Sequence, residues 1–176
     1  EAQWKSITNR EAEVVGYLKE NLSQETIKNS VLVRIGEQSE SEFSSSHFDL
    51  YELPNKAELL ETYINRFSKR ISFRDRIQIA KSLAQTFSQL HEINVAHRDI
   101  SETSIWTGHD LNLLVSRWLA SAFPEGKTVG DLRAFLHSGR TVAPEDAFDV
   151  PSDPYKRDVF LLARVIHFIF SGTQLF

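Results

Sequence analysis

The chain has no cysteine and no methionine among its 176 residues. Without thiols it cannot form a disulfide, use a thiolate nucleophile or build a thiolate metal site. A cysteine-free chain suits a reducing compartment, and a cytoplasmic location is expected. No stretch has the pattern of a signal peptide. The most apolar run, Val159 to Phe170, is too short to cross a bilayer and is interrupted by Arg164 and His167. A membrane partner is therefore not expected. Basic excess is also missing: the net charge is −4, which argues against a nucleic-acid partner. There is no internal repeat and no Gly-rich G-x-G-x-x-G loop. Gly126-Lys127-Thr128 imitates the end of a P-loop, but the earlier glycine of that motif falls at Ser121.

What is present suits one globular domain. A hydrophobic fraction of 41% and a charged fraction of 25% are ordinary, and the length is enough to bury a core. From Ser72 to Leu90 the apolar residues Ile77, Ala80, Leu83, Ala84, Phe87 and Leu90 recur at helical spacing, with Ser72 and Asp75 as a capping box. Thr8 and Glu11 predict a second capped helix through Asn21, with Val14, Tyr17 and Leu18 on its apolar face. Val31, Val33 and Ile35 alternate as in a strand. The polar segment from Glu37 to Ser46 reads as an exposed turn, and His47 to Leu53 as a returning strand. Asn21-Leu22-Ser23 fits the glycosylation pattern, a triplet that is common by chance.

The run His97-Arg98-Asp99-Ile100-Ser101-Glu102-Thr103-Ser104 follows the long helix directly. Ser116-Arg117-Trp118 comes next, then Ala143-Pro144-Glu145, then Arg157-Asp158-Val159-Phe160 opening an apolar segment that closes on Ser171-Gly172. This order resembles the protein kinase superfamily: the H-R-D-x-x-x-x-N catalytic loop, the D-F-G position, the A-P-E motif and the family's helix F. The resemblance implies an α+β, two-lobe, kinase-like fold. Residues 1–53 would be a partial N-lobe, with a helix C and strands. Residues 54–176 would be the first half of a mainly helical C-lobe, truncated after helix F. It also puts Tyr51 at the gatekeeper position, Glu52, Leu53 and Pro54 in the connector between lobes, and Glu58 where some kinases contact the nucleotide ribose. The residues themselves favour the plainer reading of Glu58 as a solvated helix residue.

The departures from the family pattern bear on chemistry. Phosphoryl transfer depends on positioning and on cations that neutralise the phosphates. Asp99 keeps the place of the base, or serves only to organise the loop. Ser101 stands where a lysine meets the transferred phosphate, and Ser104 and Ser116 replace both protein ligands to magnesium. Neutral hydroxyls are poor magnesium ligands. No strand lysine is seen: Lys5 is too near Glu11 and Glu13 to reach back to either.

The implied function is therefore that of a pseudokinase, a binding or regulatory module with a protein partner, no metal site and no cofactor. The alternatives are a divergent but active kinase that uses ATP and magnesium, with Glu102 or Asp110 as a substitute carboxylate, and a small-molecule kinase of the aminoglycoside or choline type. Thr128, Ser138 and Thr141 are candidate phosphorylation sites, though each reads better as a plain exposed loop hydroxyl, and the activation-segment region, about Ser121 to Thr141, is expected to be mobile or packed unlike a kinase. Arg117 is expected to face solvent or an acid, with Trp118 or Leu119 as the apolar anchor. Asp158 is expected to cap helix F and to satisfy backbone donors near the loop, and Glu145 to be structural.

Overall fold

The computed structural model describes residues 2–39, 47–108, 111–124, 126, 143–144 and 153–174. Its elements are helices α1 (Ala2–Asn21) and α2 (Gln24–Ser30), strands β1 (Arg34–Ser39), β2 (His47–Tyr51) and β3 (Glu58–Leu59), helices α3 (Leu60–Phe67) and α4 (Phe73–Glu92), strands β4 (Ile105–Thr107) and β5 (Leu113–Val115), and helix α5 (Pro154–Ser171). A 3-10 turn, Trp118–Ala120, follows β5. The class is α+β. Strands β1 and β2 form an antiparallel pair, and β3, β4 and β5 form a three-stranded antiparallel sheet in that order.

Helix α4 begins as its sequence predicts. Ser72 Oγ accepts from the Asp75 amide at 3.1 Å while the Asp75 carboxylate accepts from the Ser72 amide at 3.3 Å, so two otherwise orphaned donors are satisfied. The buried stripe differs from the predicted one. Ile79, Leu83, Phe87 and Leu90 are buried with Thr86, whereas Ile77 is 47% exposed and Ala84 faces out. The spacing i, i+4, i+8 and i+11 from Ile79 gives one continuous face, which the choice of Ile77 and Ala84 missed.

Three further expectations at the N-terminal end are corrected. Helix α1 starts at Ala2, so Thr8 lies inside it and caps nothing. Its apolar face is as predicted and also includes Val15: Val14, Val15 and Leu18 are buried and Tyr17 is partly so. The Val31–Ile35 alternation does not hold. Val31 and Leu32 are both buried, Val31 bridges Val115 in parallel, and the Leu32 amide donates to the Val115 carbonyl at 2.8 Å. Ile35 is 63% exposed because the β1–β2 register slips between Arg34 and Gly36, a bulge that turns its side chain off the ladder. Residues 37–39 belong to β1; the rest of the predicted turn lies outside the described residues. Ser23, in the glycosylation-like triplet, is the N-cap of α2 and accepts from the Thr26 amide.

One hydrophobic cluster joins these elements. Val14 and Leu18 of α1, Leu83, Phe87 and Leu90 of α4, Ile105 and Val115 of the sheet, and Leu161, Val165 and Phe168 of α5 all belong to it. Helices α2 and α4 pack on β5 and α3 on β3 and β4, while α1 packs on α2 and the 3-10 turn and α5 on α4. The apolar character of α5 is not even: Val159 is 60% exposed, while Arg157 and Asp158 are buried.

The corrected face of α4 is testable. Ile79→Ala is expected to cost about 2–4 kcal/mol and Ile77→Ala less than about 0.5 kcal/mol, compared by urea denaturation. Equal losses from both would restore the predicted register.

Candidate functional site

The segment between α4 and β4 is held by one carboxylate from α5. Asp158 is 1% exposed. Its Oδ2 accepts from the His97 amide at 2.7 Å and its Oδ1 from the Arg98 amide at 2.6 Å. Oδ2 also lies 3.1 Å from His91 Nε2 at the end of α4. Asp158 is not the cap of its helix: Asp153 is, accepting from the Tyr155 and Lys156 amides. Asp158 lies more than a turn further in, so its side chain is free to reach across to the loop, as expected of it.

Arg98 has φ 68°, a conformation that costs a bulky residue roughly 1–2 kcal/mol. Both sides of it are tied down: its amide by Asp158, its carbonyl by Arg157 Nε at 3.0 Å. Arg157 is fully buried, and its part in the site was not foreseen. The signal for it was its place beside Asp158.

His97 is fixed as one tautomer. Its Nε2 lies 2.9 Å from the Ser116 carbonyl and must donate, while its Nδ1 accepts from the Asp99 amide at 3.3 Å. The ring is buried, edge-on to Trp118 at 4.9 Å and to Phe87 at 6.1 Å. A histidine held this way packs and orients the loop.

Ser104 and Ser116 come together. Ser104 Oγ donates to the Ser101 carbonyl at 3.0 Å and accepts from the Ser101 amide at 2.9 Å, closing a small ring. The Ser104 carbonyl accepts both the Ser116 amide at 2.9 Å and Ser116 Oγ at 3.0 Å. The β4–β5 ladder makes this meeting, because it pairs Ile105 with Val115 and so sets the two serines side by side. Ser101 is buried and its hydroxyl lies 3.0 Å from that of Thr103. Ser101, Ser104 and Ser116 thus spend their hydroxyls on the loop itself.

Asp99 is 3% exposed. Its Oδ2 lies 3.4 Å from Arg117 Nη2, and its Oδ1 has no hydrogen-bond partner among the described residues. Arg117 thus faces an acid, and Trp118, fully buried, is the apolar anchor, as expected. The segment that follows Arg117 is also tied to α1. Arg10 donates from Nε to the Leu119 carbonyl at 3.1 Å and from Nη2 to the Ser121 carbonyl at 2.6 Å. Burial lowers the Arg10 pKa from its ordinary value, with Glu13 opposing. Nothing in the sequence pattern singled out Arg10.

The residues assigned to a nucleotide are exposed or have partners elsewhere in the chain. Tyr51 donates to Glu11 Oε2 at 3.0 Å, linking β2 to the buried acid of α1. Glu52 and Pro54 are exposed, and Leu53 is 39% exposed. Glu58 is a strand residue opposite Thr107, paired with Arg66, and not on a helix as one reading had it. A cavity of about 570 Å³ opens beside it, lined by Lys56, Tyr63, Arg66, Phe67 and Thr107. Of the assigned site residues, Glu58 alone lines it. The Glu102 side chain accepts from Gln174. Asp110, Thr128, Ser138, Thr141 and Glu145 lie outside the described residues. Among the described residues no group of three or more His, Asp and Glu side chains is placed to hold a metal, and no helix is long and apolar enough to cross a membrane.

No family model matches the chain, and no curated protein matches it.

The two aspartates of α5 separate cap from anchor. Asp158→Ala leaves two buried amides without an acceptor and is expected to cost about 2–4 kcal/mol, whereas Asp153→Ala loses an exposed cap worth about 1 kcal/mol. Chemical denaturation at neutral pH distinguishes them, and an unchanged midpoint for Asp158→Ala would refute the anchoring role.

Proposed function

We propose that the chain is a pseudokinase-like module: a kinase-type catalytic loop kept as a scaffold, serving to bind a protein partner and not to transfer phosphate. Within this reading residues 1–53 correspond to part of an N-lobe and residues 54–176 to the first half of a C-lobe. The supporting observation is the meeting of Ser104 and Ser116. These are the two positions that the resemblance assigns to magnesium, and they are neighbours here, as that assignment requires. Yet each is a buried neutral hydroxyl already engaged with backbone.

A magnesium–nucleotide complex does not fit these residues. Magnesium favours carboxylates together with substrate phosphates. Among the described residues the loop offers Asp99, with a guanidinium against it, and Glu102, whose side chain is bonded to Gln174. Ser101 brings no charge to a transferred phosphate and is buried in the loop. No chemical step is therefore derived through a metal or a nucleotide. The acidic net charge and the absence of cysteine accord with a protein partner in the cytoplasm and not with nucleic acid.

The test is a thermal-shift and calorimetric titration of the full chain with ATP, with and without magnesium. No metal-dependent binding is expected up to millimolar ATP. Metal-dependent binding in the micromolar range, together with transfer of the terminal phosphate, would overturn the proposal in favour of an active kinase.

A further inference from the structure

Asp99 raises a question of charge balance. A carboxylate buried in a folded chain requires a compensating charge or a set of donors, because desolvation of an isolated charge is very costly. Asp158 meets this requirement with two amides and His91. Asp99 does not: no amide or hydroxyl donates to its carboxylate among the described residues, and the guanidinium of Arg117 is its one described partner.

Arg117 is held for this contact at a cost. Its φ and ψ are 68° and 53°, the left-handed region that L-residues with a bulky side chain avoid. That geometry turns the chain between β5 and the 3-10 turn, so that three successive residues each reach the loop. Ser116 Oγ donates to the Ser104 carbonyl, Arg117 pairs with Asp99 and approaches Thr103 Oγ1 at 3.4 Å, and Trp118 packs its indole on His97. The carboxylate is the buried partner, 5% exposed, while the guanidinium side chain is 41% exposed and keeps part of its hydration. This is a favourable division, since arginine is the more weakly hydrated of the two basic side chains and stays charged at any physiological pH.

We propose that Arg117 is the built-in counter-ion of the loop. Its guanidinium supplies, from within the chain, the positive charge that the buried Asp99 needs in a site whose residues do not suit a divalent cation. Arg117 is a positioning residue: through Asp99 it keeps the loop closed. The inference rests on the non-catalytic reading above and gives a reason for an arginine at position 117.

A double-mutant cycle on the full chain tests it, with thermal midpoints measured for wild type, Arg117→Ala, Arg117→Lys, Asp99→Asn and the Arg117→Ala/Asp99→Asn double variant. Arg117→Ala is expected to lower the midpoint by about 4–8 °C. Arg117→Lys is expected to recover at least half of that loss. In the Asp99→Asn background, Arg117→Ala is expected to shift the midpoint by less than about 2 °C, because no charge remains to be compensated. If Arg117→Ala fails to fold while Asp99→Asn and the double variant fold, the coupling is upheld in its extreme form. An equal fall in both backgrounds, or no recovery by lysine, would overturn it and leave Arg117 as a packing residue. Magnesium–ATP binding by the wild type with the coupling intact would remove the non-catalytic reading alone. Absent coupling without nucleotide binding would remove the counter-ion alone.

Discussion

The structure depends first on the carboxylate of Asp158. It accepts the amides of two successive residues, His97 and Arg98, at a point where the chain takes a left-handed turn and cannot satisfy those donors in a helix or a ladder. Each amide left without an acceptor in the interior costs on the order of 1–3 kcal/mol. By meeting both, Asp158 fixes the loop to the central helix α5, and through His91 to the end of α4. Everything downstream takes its position from that anchor. His97 is oriented by the fixed backbone, its ring receives Trp118, and its Nε2 reaches the carbonyl of Ser116.

A second layer of contacts closes over this anchor. Strands β4 and β5 bring Ser104 and Ser116 together, and Arg117 turns onto Asp99. From the other side, Arg10 of α1 holds the carbonyls of Leu119 and Ser121, and Tyr51 at the end of β2 reaches Glu11 of the same helix. The hydroxyls of Ser101, Ser104 and Ser116 are used within the chain, and a polar network satisfied in this way holds the loop rigid.

Much of this was legible in the sequence where a local rule acts alone. The Ser72–Asp75 box started α4 as read, the end of α1 at Asn21 held, and the His47 strand was found, because capping and alternation depend on near neighbours. The reach of Asp158 to the loop was implied by the kinase resemblance, and Trp118 in place of Arg117 as the apolar anchor followed from the cost of burying an unpaired guanidinium. The failures have long-range causes. Thr8 looks like a cap, but the helix continues through it to Ala2. Ile35 alternates with Val33 in sequence, yet a bulge turns it outward. Arg10 and Arg157 bond to carbonyls 109 and 59 residues away in the chain, distances over which no periodicity carries a signal. The resemblance implied that Ser104 and Ser116 would meet, but no local pattern carries that meeting, since it depends on the register of a short ladder.

The central claim is that the loop is clamped as firmly as the core that carries it. Native-state hydrogen exchange of the His97 and Arg98 amides measures this most directly, because each should exchange only when its bond to Asp158 opens. The account predicts that both exchange with the same free energy as the buried amides in the middle of α4, through global unfolding alone. Exchange through a local opening that costs only a small fraction of the global free energy would contradict it.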